Sequence, residues 1–220
     1  MTTIGLIGAG HIGSTLARLA VGAGLGVIIS NSRGPQTLVD LVADLGDAAR
    51  AGTAVEAATE GDVVVVTVPL HAIDKVPVEP LAGKVVLDTT NYYSQRDGHR
   101  PELDSGETSS SELLAAHLPG AWVVKAFNHI TAADLGSQGL PAGTDGRRAL
   151  AISGDDAEAK AVVASIIDRL GFDVVDAGPL AGGWRHAPGT PAYLPRLDRA
   201  ALEQALADAR PGPGDGSATA

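Results

Sequence analysis

The sequence predicts an α/β protein, a doubly wound parallel sheet with a small carboxyl-terminal α/β lobe. Three observations predict it. Short aliphatic runs alternate with segments of helical periodicity from Thr3 to Ala126, the order expected when helices cover both faces of a parallel sheet. Those runs are apolar at consecutive positions, as in Val63-Val-Val-Val66, which marks strands buried on both faces. Apolar residues make up 45% of the 220 residues but aromatic ones only 3%. The core must therefore come from Ala, Val, Leu and Ile, and the length suits one large domain or one domain plus a lobe.

The elements follow in order. Thr3 to Ile7 is an apolar run ending at glycines, and His11 to Ala23 places Ile12, Leu16, Leu19 and Ala20 at helical spacing until Gly22 and Gly24 end it. Val27 to Ile29 is the second strand, and Pro35 opens a helical segment carrying Leu38, Leu41, Val42 and Leu45. Ala48 to Thr53 is a weak strand, and Thr53 caps a short helix over Ala54 to Glu60. Val63 to Pro69 is the next strand, Leu70 to Val76 a brief helix, and Val85 to Asp88 a further strand. Thr89 to Thr108 is polar and too long for a routine connection, so it is a candidate functional loop.

Ser109 to Ser111 then cap a helix over Glu112 to Leu118, and Trp122 to Ala126 is the last strand of the main sheet. Phe127 to Gly146 reads as irregular. Arg148 to Ser153, Asp155 to Leu170 and Phe172 to Asp176 form a second β-α-β unit. Gly178 to Pro195, rich in Gly and Pro, carries Trp184, Arg185, His186 and Tyr193 ahead of a helix from Asp198 to Ala209. The expected organisation is a nucleotide-binding domain over 1–130, a lobe over 131–210 and a disordered tail over 211–220. No internal repeat is visible.

A formal charge of −10 disfavours nucleic acid and anionic membranes as partners. With no cysteine there is no disulfide framework, thiolate metal site or thiol nucleophile, and the six histidines lack paired ligand spacing, so no metal is expected. Met1 runs almost directly into the first strand, leaving no room for a secretory signal, and no apolar run is long enough to span a bilayer. A cytoplasmic protein acting on a small molecule is the expectation, with a homodimer compatible with the sequence.

Gly8, Gly10 and Gly13 sit between a strand and a helix in the spacing that binds a dinucleotide. The first allows the tight turn, the second lets the backbone approach a pyrophosphate, and the third lets helix and strand pack closely. From Val27 to Gln36 there is no acid to hold ribose hydroxyls. Ser32 and Arg33 offer instead a hydroxyl and a charged fork suited to a 2′-phosphate, which favours NADP; the rival reading of Arg33 is a solvated turn residue. Val68-Pro69-Leu70, Asp88 to Asn91 and Lys125 to His129 end strands on the same edge, where a nicotinamide carboxamide is one candidate partner for buried polar groups. Trp184, Arg185, His186 and Tyr193, with Tyr92 and Tyr93, are candidates for a second-substrate pocket or for simple anchoring.

Taken together, Gly8-Ala-Gly-His-Ile-Gly13, Ser30-Asn-Ser-Arg-Gly-Pro35, Thr67-Val-Pro69, Asp88-Thr-Thr-Asn91 and Lys125-Ala-Phe-Asn128 resemble the NADP oxidoreductases dependent on the deazaflavin coenzyme F420. The resemblance runs from Ile4 to about Tyr193. The same segments are similar to the NADPH-binding domain of the membrane metalloreductases. The resemblance implies a Rossmann domain with a small lobe and reversible hydride transfer between NADPH and coenzyme F420. It implies Gly10, His11 and Ile12 at the pyrophosphate, Ser32 and Arg33 at the 2′-phosphate, and Ala126 near the nicotinamide. Relatives often carry a basic residue where Thr37 stands, which would weaken the preference for NADP.

The predicted cofactor site comprises Gly8, Ala9, Gly10, His11, Ile12, Gly13, Ser32, Arg33, Val68, Pro69, Leu70, Asn91, Ala126, Phe127 and Asn128. Hydride transfer needs alignment and a dry cleft more than acid-base side chains, so no catalytic residue is assigned. His71, His129 and His186 are candidate donors for which a structural or binding role is the stronger reading. An anionic deazaflavin tail would draw on Lys125, Arg96, Arg100 or Arg185. Two rival functions remain: reduction of another small acceptor, such as an imine, quinone, flavin or biosynthetic intermediate, and a non-catalytic NADPH-binding regulator.

Overall fold

Each aliphatic run becomes a strand that buries alternate residues on opposite faces. The structure, a computed structural model, describes residues 1–211; beyond Pro211 the expected tail lies outside the described residues. β1 (Thr3–Ile7) leads through the glycine turn to α1 (His11–Gly22) and β2 (Gly26–Ser30). A 3₁₀ turn at Pro35–Leu38 opens α2 (Val39–Leu45), followed by β3 (Ala49–Ala51) and α3 (Ala54–Glu60). A capping box starts α3: the Thr53 hydroxyl accepts from Glu56 N at 3.1 Å while Thr53 N donates to the Glu56 carboxylate at 2.7 Å. β4 (Val63–Val66), a 3₁₀ turn at Leu70–Lys75 and β5 (Val85–Asp88) come next.

The stretch from Thr89 to Thr108, expected as one long loop, holds two single-turn helices, α4 (Ser94–Asp97) and α5 (Pro101–Asp104). They are too short to show an apolar period, and side chains hold them: Asp97 accepts from Tyr93 N at 3.1 Å, and the Tyr92 hydroxyl donates to Asp104 at 2.5 Å. α6 (Ser110–His117) starts at a second capping box, Ser109 with Glu112, and β6 (Trp122–Lys125) follows. The region expected to be irregular after Phe127 contains α7 (Ala132–Ser137), capped by Thr131, whose hydroxyl accepts from Asp134 N at 3.1 Å. Gly136 and Ser137 mask that helix in the sequence. β7 (Ala149–Gly154), α8 (Ala157–Arg169), β8 (Asp173–Asp176), a 3₁₀ segment at Leu180–His186 and α9 (Arg199–Asp208) complete the described chain.

The strands form one sheet in the order β3-β2-β1-β4-β5-β6-β7-β8. The first six are parallel throughout. The second β-α-β unit forms as expected, β7 parallel to β8, yet it joins β6 antiparallel, with Lys125 opposite Ser153. The expected parallel sheet is thus extended by an inverted pair. Ile4, Leu6, Val63 and Val65 pack towards α1 and α8, while Val64, Val66, Ala57 and Leu114 form the opposite core. A smaller third core joins β7 and β8 to Leu202 and Leu206 of α9. Strand order reverses between β1 and β4, so the carboxyl ends of β1, β4, β5 and β6 bound a crevice of the kind in which such sheets bind ligands.

Candidate functional site

The crevice begins at the glycine turn. Gly8 N donates to Ser30 O at 3.0 Å, tying the end of β1 to the end of β2. Gly8 has φ +118°, and a Cβ there would stand 2.4 Å from Thr67 O. A Cβ on Gly13 would stand 2.2 Å from Gly8 O, so α1 rests directly on the turn. Thr67, which opens the Thr67-Val-Pro69 motif but is absent from the predicted cofactor set, is the seat for both: its side-chain oxygen would lie 3.1 Å from a methyl group on either glycine.

Gly10 behaves differently. It is the N-cap of α1, supplies no side-chain cap, and a Cβ on it would meet nothing within 4 Å. The first N–H groups of α1 have no intrahelical acceptors, and the helix dipole favours an anion in front of them. They open onto a cleft of about 480 Å³ between α1 and α7, lined by Ala9, His11, Ser14, Arg18 and Ala132 among others. A pyrophosphate fits this donor set and this open approach.

At the end of β2, Ser32 and Arg33 are exposed, and among the described residues neither side chain has a hydrogen-bond or ion-pair partner. The remaining members of the predicted set divide by depth. Val68 is half-buried and Pro69 exposed at the crevice lip, whereas Leu70, fully buried, turns into the core. Ala126 and Phe127 are also buried, and Phe127 has φ +58°, a left-handed backbone uncommon for a bulky residue. Their main chain bounds the crevice, and their side chains belong to the core.

The polar groups ending β5 and β6, expected to look to a nicotinamide, are satisfied by the protein. Asp88 accepts from Thr90 N at 2.9 Å, the Thr90 hydroxyl at 3.1 Å and the Ser111 hydroxyl at 2.5 Å. Lys125 donates to Thr90 O at 2.8 Å and to Ser111 at 3.0 Å, with its Nζ 4.0 Å from Asp88. Burial pushes the Lys125 ammonium below its ordinary pKa, and Asp88 opposes that. Lys125 is therefore withdrawn from any role at an anionic tail. Ser110 and Ser111, expected only as helix caps, complete this network.

A second network centres on Asn128. Its Nδ2 donates to Asn91 Oδ1 at 3.1 Å and to His186 O at 2.8 Å, and Asn91 Nδ2 donates back to Asn128 O at 2.7 Å. His129 Nε2 accepts from Ala151 N at 3.1 Å, which leaves its proton on Nδ1, facing Asn128 Oδ1 at 3.3 Å. His186 Nδ1 lies 2.8 Å from the same oxygen, with Ser153 Oγ 3.0 Å from Nε2. Burial, with Arg148 and Lys125 nearby, holds His129 down at about 3; burial, His129 and Lys125 hold His186 well below 6.5. Both rings are neutral and have both nitrogens engaged, so they position backbone and offer no proton to a substrate.

At the outer lip, Tyr93 and Tyr193 meet hydroxyl to hydroxyl, and Arg96 lies 4.8 Å from the Tyr93 ring centre while donating to Asn91 O at 2.8 Å. Burial and the Tyr93 contact push the Tyr193 phenol above its ordinary pKa, so it stays protonated. His71 faces Asp97 at 3.5 Å across the same lip. Trp184 and Arg185 instead line a separate cleft with Glu203 and Arg210 behind β8, which takes them away from this group. Among the described residues no cluster of His, Asp or Glu could hold a metal ion, and no helix is long and apolar enough to cross a membrane.

Comparison with known proteins agrees with this geometry. The chain is 36% identical to protein SMa0349 from Sinorhizobium meliloti, covering 90% of this chain and 96% of that structure with a TM-score of 0.79. It is 26% identical to a structure from Arthrobacter sp. FB24 described as a candidate F420-dependent NADP reductase, over 84% and 87% of the two chains, with a TM-score of 0.70. It is also 34% identical over 182 residues to the metalloreductase STEAP3 of Rattus norvegicus, covering 81% of this chain; the chain spans 34% of the length of that protein. The family model for NADP oxidoreductases dependent on coenzyme F420 matches residues 3–92, from β1 to the end of β5 and on to Tyr92. With the glycine turn, the acid-free end of β2 and the shared sheet, residues 3–92 carry the nucleotide-binding domain of that family, and the protein is an oxidoreductase.

Proposed function

We propose that the protein is an NADPH-dependent oxidoreductase that transfers a hydride between NADP(H) and the deazaflavin coenzyme F420. The observation that carries the reading is the continuity of two anion-receptive features. The open amino terminus of α1 at Gly10 and the side chains of Ser32 and Arg33, without partners among the described residues, flank the carboxyl edge of β1 and β2. One phosphorylated dinucleotide satisfies both. Bound there, NADPH supplies the hydride. The chain contributes binding through Gly8 to Gly13, Ser32 and Arg33, and alignment through main chain at Val68-Pro69 and Ala126 to Asn128.

Two further features support a hydride-transfer role over acid-base chemistry. The Asn128 and Lys125 networks rigidify the crevice floor with neutral or internally paired groups, and preorganised alignment is what hydride transfer between stacked rings requires. The deazaflavin assignment rests on the family match and on the resemblance of the five motifs. The likeness to the rat metalloreductase supports a second reading, in which the acceptor is a small molecule other than coenzyme F420.

The test is to mix the purified protein with NADPH and oxidised coenzyme F420 and follow both absorbances. Coupled loss of NADPH and bleaching of the deazaflavin is expected. NADPH oxidation by another acceptor without bleaching selects the second reading, and NADPH binding without any turnover selects a regulator.

A further inference from the structure

The turn that carries Ser32 and Arg33 is shaped by a neighbour that does not itself offer a charge. Asn31 Oδ1 accepts the Arg33 amide N–H at 2.9 Å, and Asn31 Nδ2 donates to Thr37 Oγ1 at 2.8 Å. The Thr37 hydroxyl donates onward to Gly34 O at 2.8 Å, and Gln36 Nε2 donates to Arg33 O at 3.0 Å. Gly34 has φ +95°, where a Cβ would stand 2.6 Å from Gln36 Oε1, so the reversal needs glycine. The backbone from Asn31 to Thr37 is thereby bonded to itself. What remains free at its surface, among the described residues, is the Ser32 hydroxyl and the Arg33 guanidinium.

We propose that Asn31 is the positioning residue that sets dinucleotide specificity: it holds Ser32 and Arg33 in the geometry that receives a phosphate monoester at the ribose 2′ position. The inference rests on the cofactor reading above and deepens it. Asparagine suits the position because it presents an acceptor and a donor together. Alanine supplies neither, and the Arg33 amide and the Thr37 hydroxyl would each lose a partner. Aspartate keeps the acceptor for the Arg33 amide but loses the donor and adds a negative charge beside the expected phosphate. A pre-bonded turn also spares part of the ordering cost that a mobile arginine loop would incur on binding. Thr37, engaged with Asn31 and Gly34, serves the turn and not the ligand.

The experiment is an equilibrium fluorescence titration of wild type, Asn31→Ala and Asn31→Asp with NADPH and NADH, together with calorimetric titration of 2′,5′-ADP, which carries the 2′-phosphate without a nicotinamide. Asn31→Ala is expected to lose about tenfold in affinity for NADPH and for 2′,5′-ADP, with NADH changed by less than about twofold. Asn31→Asp is expected to lose more than the alanine variant for both phosphorylated ligands. An alanine variant that weakens NADPH and NADH equally, or neither, overturns the positioning role while wild-type NADPH binding preserves the cofactor reading. So does an aspartate variant with wild-type preference. A wild-type protein that binds neither nucleotide overturns the cofactor reading and the inference with it.

Discussion

Acidification should expose the cost of keeping His129 neutral, and replacing that one ring should remove a defined part of it. His129 ordinarily titrates at 6.5 but is held at about 3 in the folded chain by burial and by the charges of Arg148 and Lys125. Its Nε2 lone pair is occupied by the Ala151 N–H, so protonation breaks that bond and places a cation in the core. Between those two values the unfolded chain carries a proton that the folded chain does not, so folding stability rises with pH across the window and falls on acidification. One such group costs about 1.4 kcal/mol per pH unit below 6.5, which amounts to about 2 kcal/mol by about pH 5. Gln places an amide oxygen where Nε2 stood and does not titrate. His129→Gln should therefore lose about 2 kcal/mol less than wild type between about pH 7 and about pH 5 in urea unfolding. Carboxylates titrate alike in both proteins and cancel in the difference. Wild-type and variant stabilities that fall in parallel with pH would refute the reasoning.

Other consequences are open to direct measurement. Arg33→Ala should weaken NADPH by roughly tenfold or more through loss of a charge-assisted bond while leaving NADH nearly unchanged, read by nucleotide titration; equal losses would sink the 2′-phosphate assignment. Gly10→Ala should leave the melting temperature near wild type yet impair NADPH binding, because its methyl would enter open space. Gly13→Ala should lower both, with a stability loss of roughly 1–3 kcal/mol from the clash with Gly8 O, measured by thermal melting. Lys125→Met should cost roughly 3 kcal/mol by leaving Asp88 buried without its cation, and pairing it with Asp88→Asn should recover much of that loss in denaturant unfolding.

What was legible in the sequence was what one residue type decides locally. Gly8 and Gly13 announced the turn because only glycine tolerates those approaches, and Thr53 and Ser109 announced helix starts because their hydroxyls bond three residues ahead. Four consecutive valines could only be a strand buried on both faces. Long-range partnerships left no such mark. Nothing near Asn128 in the chain points to His186, 58 residues away, and nothing at Lys125 indicates that Ser111 and Thr90 would absorb its charge. Leu70 and Phe127 lay inside recognisable motifs, but whether a side chain faces crevice or core depends on the backbone turn around it, as the positive φ of Phe127 shows. The short helices α4 and α5 depend on Asp97 and Asp104, which in sequence are ordinary loop acids.

The inverted attachment of β7 and β8 has a directional consequence. In a wholly parallel sheet every added β-α unit opens its strand-to-helix turn on the same side, and each extra unit widens the same ligand edge. Here Lys125 pairs with Ser153 in opposite sense, so the start of β7 stands beyond the end of β6 and walls the crevice, while the turn from β7 into α8 opens on the far side. That far turn is already occupied: Asp156 accepts from Ala159 N at 2.7 Å, capping α8, and Asp155 accepts from Leu180 N at 2.9 Å. Two carboxylates seated there repel an incoming phosphate. The β7-α8-β8 unit thus adds enclosure beside β6, and its own β-to-α turn is filled by carboxylates.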